Sequence, residues 1–197
     1  CSWQGGPRDN RLGLICDKKS DAQCISEIRL GSNNLVGNLP QEITHLKYLT
    51  SLDMDTNKIF GTLPKEMGSK LAELKEIDLD INFLSGTIPK SIFGSKFIEI
   101  IDINTNNLTG DILGLEEMKQ LKHFSVYQNN LSGKIPSGLE KLNDLEVLYL
   151  DQNNLIGAID PAICKNFVIE GGKLLELIVD CNVSCNCCTE CTAVISE

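Results

Sequence analysis

A pattern that recurs about every 24 residues constrains this chain more than any other feature of its sequence. The consensus is L-x-x-L-x-L-x-x-N-x-L-x-G-x-I/L-P, with replacements at single positions. The six copies read ISEIRLGSNNLVGNLP (25–40), LTSLDMDTNKIFGTLP (49–64), LKEIDLDINFLSGTIP (74–89), IEIIDINTNNLTGDIL (98–113), LKHFSVYQNNLSGKIP (121–136) and LEVLYLDQNNLIGAID (145–160). A half-copy follows at Leu174, Leu177 and Val179. Units of this kind bury their apolar faces only against each other, so we predict a solenoid of stacked coils.

The columns of the pattern have physical reasons. The L-x-L core alternates like a strand with one buried face, and we expect seven parallel strands about 4.8 Å apart. An interior amide both donates and accepts, so the asparagine column can bridge the backbones of adjacent coils as an asparagine ladder. The ladder comprises Asn33, Asn57, Asn82, Asn106, Asn129 and Asn153. The glycine column permits positive φ angles, and the prolines start the convex segment of each coil.

The composition describes a folding chain with few aromatic residues and a negative net charge. Hydrophobic residues make up 42%, charged residues 23% and aromatic residues 5%, so the core must be aliphatic. The net charge of −9 argues against a nucleic-acid partner, because phosphate binding needs clustered Lys and Arg. No apolar run reaches the roughly 20 residues that span a bilayer, so we expect no membrane insertion within this chain. Since it opens on Cys1-Ser2-Trp3, we interpret it as a mature or trimmed form without its upstream signal or anchor.

Nine cysteines lie in two groups at the ends of the chain, which indicates disulfide-stapled caps and an oxidising compartment. The front group is Cys1, Cys16 and Cys24, and the rear group is Cys164, Cys181, Cys185, Cys187, Cys188 and Cys191. We predict a Cys1–Cys16 pair, with Cys16–Cys24 as the alternative, while the spacing of the rear group does not reveal its connectivity. The tail could also ligate zinc, but we expect disulfides there. The odd number of cysteines allows a disulfide-linked dimer.

Three Asn-x-Ser/Thr sequons support the same secretory route. We expect glycosylation at Asn107, Asn130 and Asn182. Asn107 and Asn130 follow ladder asparagines of adjacent coils, so their glycans would keep partners off that rim of the sheet. The chain is therefore predicted to be secreted or to lie at the cell surface.

The segment L-x-G-x-I-P after L-x-x-L-x-L-x-x-N-x-L resembles the plant-type, or plant-specific, leucine-rich-repeat class of receptor-kinase ectodomains and polygalacturonase-inhibiting proteins. The opening CSWQG and the later ICD resemble the N-terminal cap of that family, C-x-W-x-G-V-x-C, with 6–14 inserted between the halves. The tail, DCNVSCNCCTEC (180–191), is similar to the cysteine-rich ending of extracellular repeat proteins from diatoms and related microalgae.

This resemblance implies an α/β solenoid, a right-handed leucine-rich-repeat superhelix with a concave parallel β-sheet. It also implies a short second sheet from the L-x-G-x-I segments, convex 3₁₀ or short helical turns, and disulfide caps at both ends. The expected organisation is an N-terminal cysteine cap (1–24), six leucine-rich repeats (25–165), and a C-terminal half-repeat with a cysteine-rich cap (166–197).

The polar residues of the strands are expected to face the concave side. Copies 2 to 4 place an acidic block there, defined as Asp53, Asp55, Asp78, Asp80 and Asp102. Carboxylates on neighbouring strands would lie about 5 Å apart and repel each other, which a basic peptide or a cation would relieve. Calcium at Asp53, Asp78 and Asp102 is one hypothesis, because Ca²⁺ takes carboxylate oxygens. The alternative is a solvated polar face, since surface charges interact weakly in water.

A tyrosine patch, defined as His123, Tyr127 and Tyr149, follows on the same face, with Asp151 beside it. Tyrosine combines contact area with a hydrogen-bonding tip, so the patch suits a sugar or an extended peptide. The alternative is that both rings pack flat on the sheet and only shield it. We count Asp151 with the patch and the acidic block as candidate ligand-binding residues.

We do not expect an enzyme. Neither histidine belongs to a catalytic motif such as G-x-S-x-G or H-E-x-x-H. Asp53 and Asp78 could mimic a glycosidase pair, but nothing on an open, wet sheet is expected to raise the pKa of either carboxyl. We predict an extracellular ligand-recognition module that binds a protein, peptide or polysaccharide through its concave face. The alternative is a structural or adhesive surface or matrix protein bridged by calcium, and no other cofactor is expected.

Overall fold

The computed structural model describes residues 13–17 and 24–193, and it arranges them as a stack of coils with two β-sheets. The strands are β1 (Gly13–Asp17), β2 (Cys24–Arg29), β3 (Val36–Asn38), β4 (Ser51–Asp53), β5 (Lys58–Gly61), β6 (Glu76–Asp78), β7 (Phe83–Thr87), β8 (Ile100–Asp102), β9 (Asn107–Gly110), β10 (His123–Ser125), β11 (Asn130–Lys134), β12 (Val147–Tyr149), β13 (Asn154–Ile156), β14 (Glu176–Asp180) and β15 (Glu190–Thr192).

The concave sheet takes one strand from each coil, in the order β1-β2-β4-β6-β8-β10-β12-β14-β15. The strands from β2 to β14 pair in parallel, which confirms the seven parallel strands predicted from the L-x-L columns. Two further strands extend this sheet. β1 pairs antiparallel with β2, and β15 pairs in parallel with β14. The sequence pattern did not predict either of them, because both lie outside the repeats.

The second sheet has the order β13-β11-β9-β7-β5-β3 and is built from the L-x-G segments that follow the ladder asparagines. Each inward leucine or isoleucine of these strands joins the core, as Leu84 and Leu108 do with no exposed surface. Gly86 has a φ of 76°, and a Cβ added there would lie 2.8 Å from the Thr62 methyl carbon. A side chain at this position would therefore be both strained and crowded.

Short helices form the convex side, as expected from the resemblance. They are α1 (Met67–Lys70), α2 (Lys90–Phe93) and the 3₁₀ helices Gln41–His45, Leu115–Glu117, Leu139–Lys141, Pro161–Asn166 and Val168–Glu170. Pro40 and Pro89 immediately precede the first residue of their helices in extended conformation. The fixed φ of proline suits the entry to a helix, so the proline column starts these convex segments as predicted.

The core is an aliphatic column with one aromatic residue among the central positions of the concave strands. These positions are Leu52, Ile77, Ile101, Phe124, Leu148 and Leu177, all essentially without exposed surface. The asparagine ladder runs beside them. Asn106 is typical, because its Oδ1 accepts the Leu84 N–H at 2.9 Å while its Nδ2 donates to the carbonyls of Leu79, Ile103 and Asn104. The ladder thus satisfies backbone groups of two coils at once.

Three disulfides close the C-terminal cap: Cys164–Cys187, Cys181–Cys191 and Cys185–Cys188. This confirms that the rear cysteines form disulfides rather than a zinc site, and it supplies the pairing that the sequence left open. The front pairing predicted for Cys1 and Cys16, and its alternative with Cys24, concern side chains outside the described residues. The predicted boundaries at 24 and 165 remain predictions.

Candidate functional site

The register of the concave sheet brings the acidic block together. Asp78 on β6 lies opposite Asp53 on β4 and opposite Asp102 on β8. Asp55 and Asp80 follow these strands two residues later and point to the same face. All five side chains are partly exposed. Their role in binding a ligand remains a prediction.

Most of the acidic block forms no ion pair with Lys or Arg among the described residues. Within residues 13–17 and 24–193, no Lys or Arg lies within ion-pair distance of Asp53, Asp55, Asp78 or Asp80. Two basic side chains of this face pair with glutamates instead, although Arg29 lies opposite Asp53 in the register. Arg29 lies 2.6 Å from Glu27, and Lys122 lies 2.6 Å from Glu99. Within the described residues, these four neighbouring carboxylates therefore have no ion-pair partner.

This crowding changes the proton affinity of the block. Burial raises the pKa of Asp78 to about 7, and the charge of Asp80 adds to the increase. Burial and the charge of Asp102 raise the pKa of Asp80 to about 6. The pKa of Asp53 is raised as well, by burial and then by its contact with Asp55. The expectation that an open sheet leaves these carboxyls unperturbed is wrong, because the sheet itself removes water from one side of each carboxyl.

Asp102 differs from the rest of the block because it has a basic neighbour. Its Oδ2 lies 3.5 Å from His123 Nε2. Burial alone would raise the pKa of Asp102, but the contact with His123 and hydrogen bonds from Asn104 outweigh burial and lower it. The block therefore contains neighbouring carboxyls, Asp78 and Asp102, whose pKa values are shifted in opposite directions. It can hold protons or a cation near neutral pH.

Calcium gains no geometric support. Among the residues that the structure describes, no group of three or more His, Cys, Asp or Glu side chains is arranged to hold a metal ion. Asp53, Asp78 and Asp102 stand in a row along the sheet, whereas Ca²⁺ needs oxygens converging on one point. The calcium-bridged matrix protein remains a prediction.

The tyrosine patch is partly engaged within the protein. The rings of His123 and Tyr149 meet edge to face, with centroids 6.2 Å apart. The Tyr149 hydroxyl donates to Glu176 on β14, and this hydrogen bond raises the pKa of Tyr149 to about 12. Tyr127 is half-buried. The rings therefore neither lie fully free nor disappear into the sheet.

Asp151 is covered by the C-terminal cap. It is only 7% exposed, and its Oδ2 accepts a hydrogen bond from the Thr192 hydroxyl at 2.8 Å. The cap, rather than a ligand, satisfies this carboxylate in the structure. Sequence reasoning counted Asp151 with the open face because the pattern did not show that β15 adds to the sheet beside β14.

The rim between the two sheets holds a groove of about 340 Å³, which we call the rim groove. Its outer lining includes Phe83, Thr105, Asn107, Gln128 and Asn130. Two of the predicted glycosylation sites, Asn107 and Asn130, lie at exposed positions of the adjacent strands β9 and β11, where Asn130 is opposite Thr109. The third, Asn182, is exposed in the turn after β14. Glycosylation itself remains a prediction.

Sequence reasoning missed the exposed aromatic side chains of the second sheet. Phe60 and Phe83 lie opposite each other on β5 and β7, and they are 47% and 56% exposed. The sequence did indicate their exposure through their positions within the strands. Each is directly adjacent in sequence to the inward leucine or isoleucine of its strand. Because side chains alternate between the two faces of a strand, such neighbours point outward.

Comparisons with known proteins agree with this architecture. A family model described as leucine rich repeats (2 copies) matches residues 119–163. The crystal structure of the BIR3–SERK2 complex from Arabidopsis thaliana contains a chain that is 32% identical, with a TM-score of 0.61. That match covers 73% of this chain and 75% of the other. The chain belongs to the leucine-rich-repeat family. Its membership of the plant-specific class and the likeness of its tail to diatom proteins remain predictions.

Longer receptor ectodomains also resemble this leucine-rich-repeat chain. One is the Arabidopsis thaliana receptor kinase GASSHO1/SCHENGEN3, solved with CASPARIAN STRIP INTEGRITY FACTOR 2. It has a TM-score of 0.80 at 25% identity and covers 94% of this chain and 20% of that one. Another is the plant peptide hormone receptor RGFR1 in complex with RGF2, with a TM-score of 0.73 at 28% identity, covering 81% and 25%. The chain thus spans about a quarter or less of these ectodomains. Within the described ranges, no helix is long and apolar enough to cross a membrane.

Proposed function

We propose that this chain is an extracellular recognition module that binds a peptide along its concave sheet, with the acidic block holding a basic segment of that peptide. The observation that carries the proposal is that, among the described residues, no Lys or Arg forms an ion pair with this block outside Asp102. Burial and neighbouring carboxylates raise the pKa of Asp78, so a cation from a ligand would stabilise its ionised form. A Lys or Arg of a ligand would supply the missing partner and could do so bidentately in the case of Arg.

The proteins with similar structures support a peptide as the ligand. The receptor RGFR1 was solved with RGF2, and HAESA was solved with the peptide hormone IDA and a co-receptor. An extended peptide also fits a row of parallel strands, because its side chains can meet successive rows of outward residues. The three rear disulfides support a secreted or cell-surface location, since such bonds persist in oxidising compartments. Non-catalytic recognition is part of this proposal.

Polysaccharide is the alternative ligand, and it would use different residues. A neutral glycan gains nothing from the acidic block, but it can stack on the half-exposed rings of Tyr127 and Tyr149. Substitutions in the two regions therefore separate the two ligands. Loss of binding at the block indicates a basic peptide, and loss at the tyrosine patch alone indicates a sugar.

The experiment uses a library of synthetic peptides of about twelve residues with paired Lys or Arg, each matched to a version carrying Glu instead. Binding to the full chain is measured by calorimetry at pH 8. We expect basic peptides to bind and their Glu versions not to bind. Asp78→Asn combined with Asp80→Asn should weaken binding by about tenfold or more, because two charge-assisted contacts lose strength.

Glu73→Gln is the matched control. Glu73 is exposed in the turn before β6, outside the concave face, and its substitution also removes a negative charge. It should leave the affinity within about twofold. An equal loss in Glu73→Gln would mean that net charge, and not the acidic block, attracts the peptide. Failure of every basic peptide to bind in preference to its Glu version would overturn the proposal.

A further inference from the structure

We propose that Asn107 carries an N-linked glycan whose first sugar ring packs on Phe83 and occupies the rim groove. This assigns a modification and its docking residue on the side of the solenoid that the proposed peptide does not use. The ligand is the amino sugar attached to the chain itself. The register of the second sheet, the exposure of Phe83 and the lining of the groove all support this assignment.

The register places the two side chains on one face. Asn107 on β9 lies opposite Ser85 on β7, and Phe83 precedes Ser85 by two residues. Leu84, between Phe83 and Ser85, and Leu108, which follows Asn107, are fully buried, so Phe83, Ser85 and Asn107 all point outward. Neighbouring strands are about 4.8 Å apart and two residues rise about 6.6 Å, which separates Asn107 from Phe83 by about 8 Å. One pyranose ring spans such a gap.

The groove between them has the chemistry of a sugar site. A pyranose ring has a face of C–H groups and a rim of polar groups. Phe83 offers an aromatic face on which the C–H groups can pack. Gln128 and Asn130 offer amides that can donate hydrogen bonds to the polar groups of the sugar and accept hydrogen bonds from them. The groove of about 340 Å³ is an open surface depression with room for one sugar ring.

Phe83 also distinguishes Asn107 from its neighbour. In the coil before Asn130, the position that corresponds to Phe83 is occupied by Asn107, and an asparagine offers no aromatic face. Phe83 itself is 56% exposed, so a covering sugar would remove apolar surface from water. The two sequons are therefore predicted to differ. The sugar on Asn107 is held against the protein, and the sugar on Asn130 extends into solvent.

The attachment is a substitution at the anomeric carbon of a lipid-linked oligosaccharyl diphosphate. The Asn107 Nδ2 forms a bond to C1 of the sugar while the bond from C1 to the diphosphate oxygen breaks. The lipid diphosphate leaves with the electron pair, and a base of the transferase takes one amide proton. Thr109 completes the sequon that such transferases recognise. No oxidant or reductant is needed.

The test starts with the full chain secreted from a eukaryotic culture, and mass spectrometry of its peptides reports occupancy at each sequon. An endoglycosidase then trims every glycan to a single N-acetylglucosamine. Urea unfolding compares this form with Asn107→Gln, with Asn130→Gln as the control for losing a sugar that lacks an aromatic neighbour. We expect the single sugar on Asn107 to lower the unfolding equilibrium constant by roughly twofold to tenfold, and the sugar on Asn130 to have no such effect.

Phe83→Ser should remove the effect of the Asn107 sugar, and Phe60→Ser should preserve it. Phe60 is similarly exposed on the adjacent strand but does not line the groove. This comparison subtracts any direct cost of either serine, so it stays informative if both variants are less stable. An unmodified Asn107 in the secreted chain would overturn the proposal. So would a stabilising sugar that is indifferent to Phe83.

Discussion

Asp180 accepts a hydrogen bond from the backbone N–H of Asn153 with one carboxylate oxygen, at 3.1 Å, where earlier coils use a backbone carbonyl of the next coil. Its other oxygen accepts the N–H of Gln152 at 2.7 Å. One coil earlier, the equivalent N–H groups of Gln128 and Asn129 donate to backbone carbonyls of the next coil. The side chain of Asp180 therefore imitates two backbone carbonyls and closes the stack. It is only 1% exposed.

Asp180→Asn should destabilise the protein by about 2 kcal/mol. An amide offers one oxygen in place of two, so one of the two buried N–H groups would face an NH₂ group and lose its acceptor. Urea unfolding measures the change. Asp144→Asn is the matched control, because Asp144 is a partly exposed partner of Lys173 and its loss should cost less than about 1 kcal/mol. Equal effects of the two substitutions would contradict the capping role of Asp180.

Asn153→Ala should cost about 3 kcal/mol, and the adjacent Asn154→Ala should change stability by less than about 0.5 kcal/mol. Asn153 is buried, donates to three carbonyls and accepts the Leu131 N–H, whereas Asn154 is exposed. Removing the ladder amide leaves buried backbone groups of two coils without partners. Chemical denaturation of the two variants side by side checks the difference, and similar losses would argue against the ladder as the main link between coils.

Replacing Cys164 and Cys187 together by alanine should cost more than replacing Cys185 and Cys188. The first disulfide spans 23 residues and the second spans 3. Restricting the unfolded chain through the longer loop contributes about 3 kcal/mol, against about 2 kcal/mol for the shorter one. Unfolding in urea under non-reducing conditions gives both values. The opposite order would show that packing of the cysteines against the core outweighs loop entropy.

The repeat pattern was enough to predict the stack, its parallel strands and the outward rows, because each column has one physical role in every coil. It predicted less at the ends. By count, Asn182 stands where a ladder asparagine would stand after Leu177 and Val179. In the structure β14 runs on to Asp180 and the chain then turns, so Asn182 is exposed. The repeat pattern does not contain the Cys181–Cys191 disulfide, which begins directly after Asp180.

The acidic block shows a different gap between sequence and structure. Register alone placed Asp53, Asp78 and Asp102 in one row, as the paired strands confirm. Their proton affinities depend on burial and on individual contacts that no column encodes. Asp78 has carboxylates on both sides and a raised pKa, whereas Asp102 faces His123 and has a lowered one. Two aspartates at the same position of the repeat thus have pKa values that are shifted in opposite directions by their neighbours.

The raised pKa of Asp78 predicts that stability falls as pH rises. The folded protein holds a proton on Asp78 up to about pH 7, while the unfolded chain releases it near pH 4. Folding is therefore favoured by this group at low pH, and the advantage is lost between pH 4 and pH 7. Solvent screening of a partly exposed group limits the change to about 1–2 kcal/mol. Urea midpoints at pH 5 and pH 8 should differ in the native chain by more than in Asp78→Asn.

The same protons should compete with the proposed peptide. A basic segment binds the ionised forms of Asp78 and Asp80, whose pKa values are about 7 and about 6, so affinity should rise with pH across this interval. From pH 5 to pH 8 we expect a gain of at least about tenfold at constant salt, because protons must leave before the cation can pair. Calorimetry near pH 6.5 in two buffers of different ionisation enthalpy should show proton release on binding. The variant with Asp78→Asn and Asp80→Asn should bind weakly at every pH without releasing protons. Binding that strengthens toward pH 5 would place the peptide away from the acidic block.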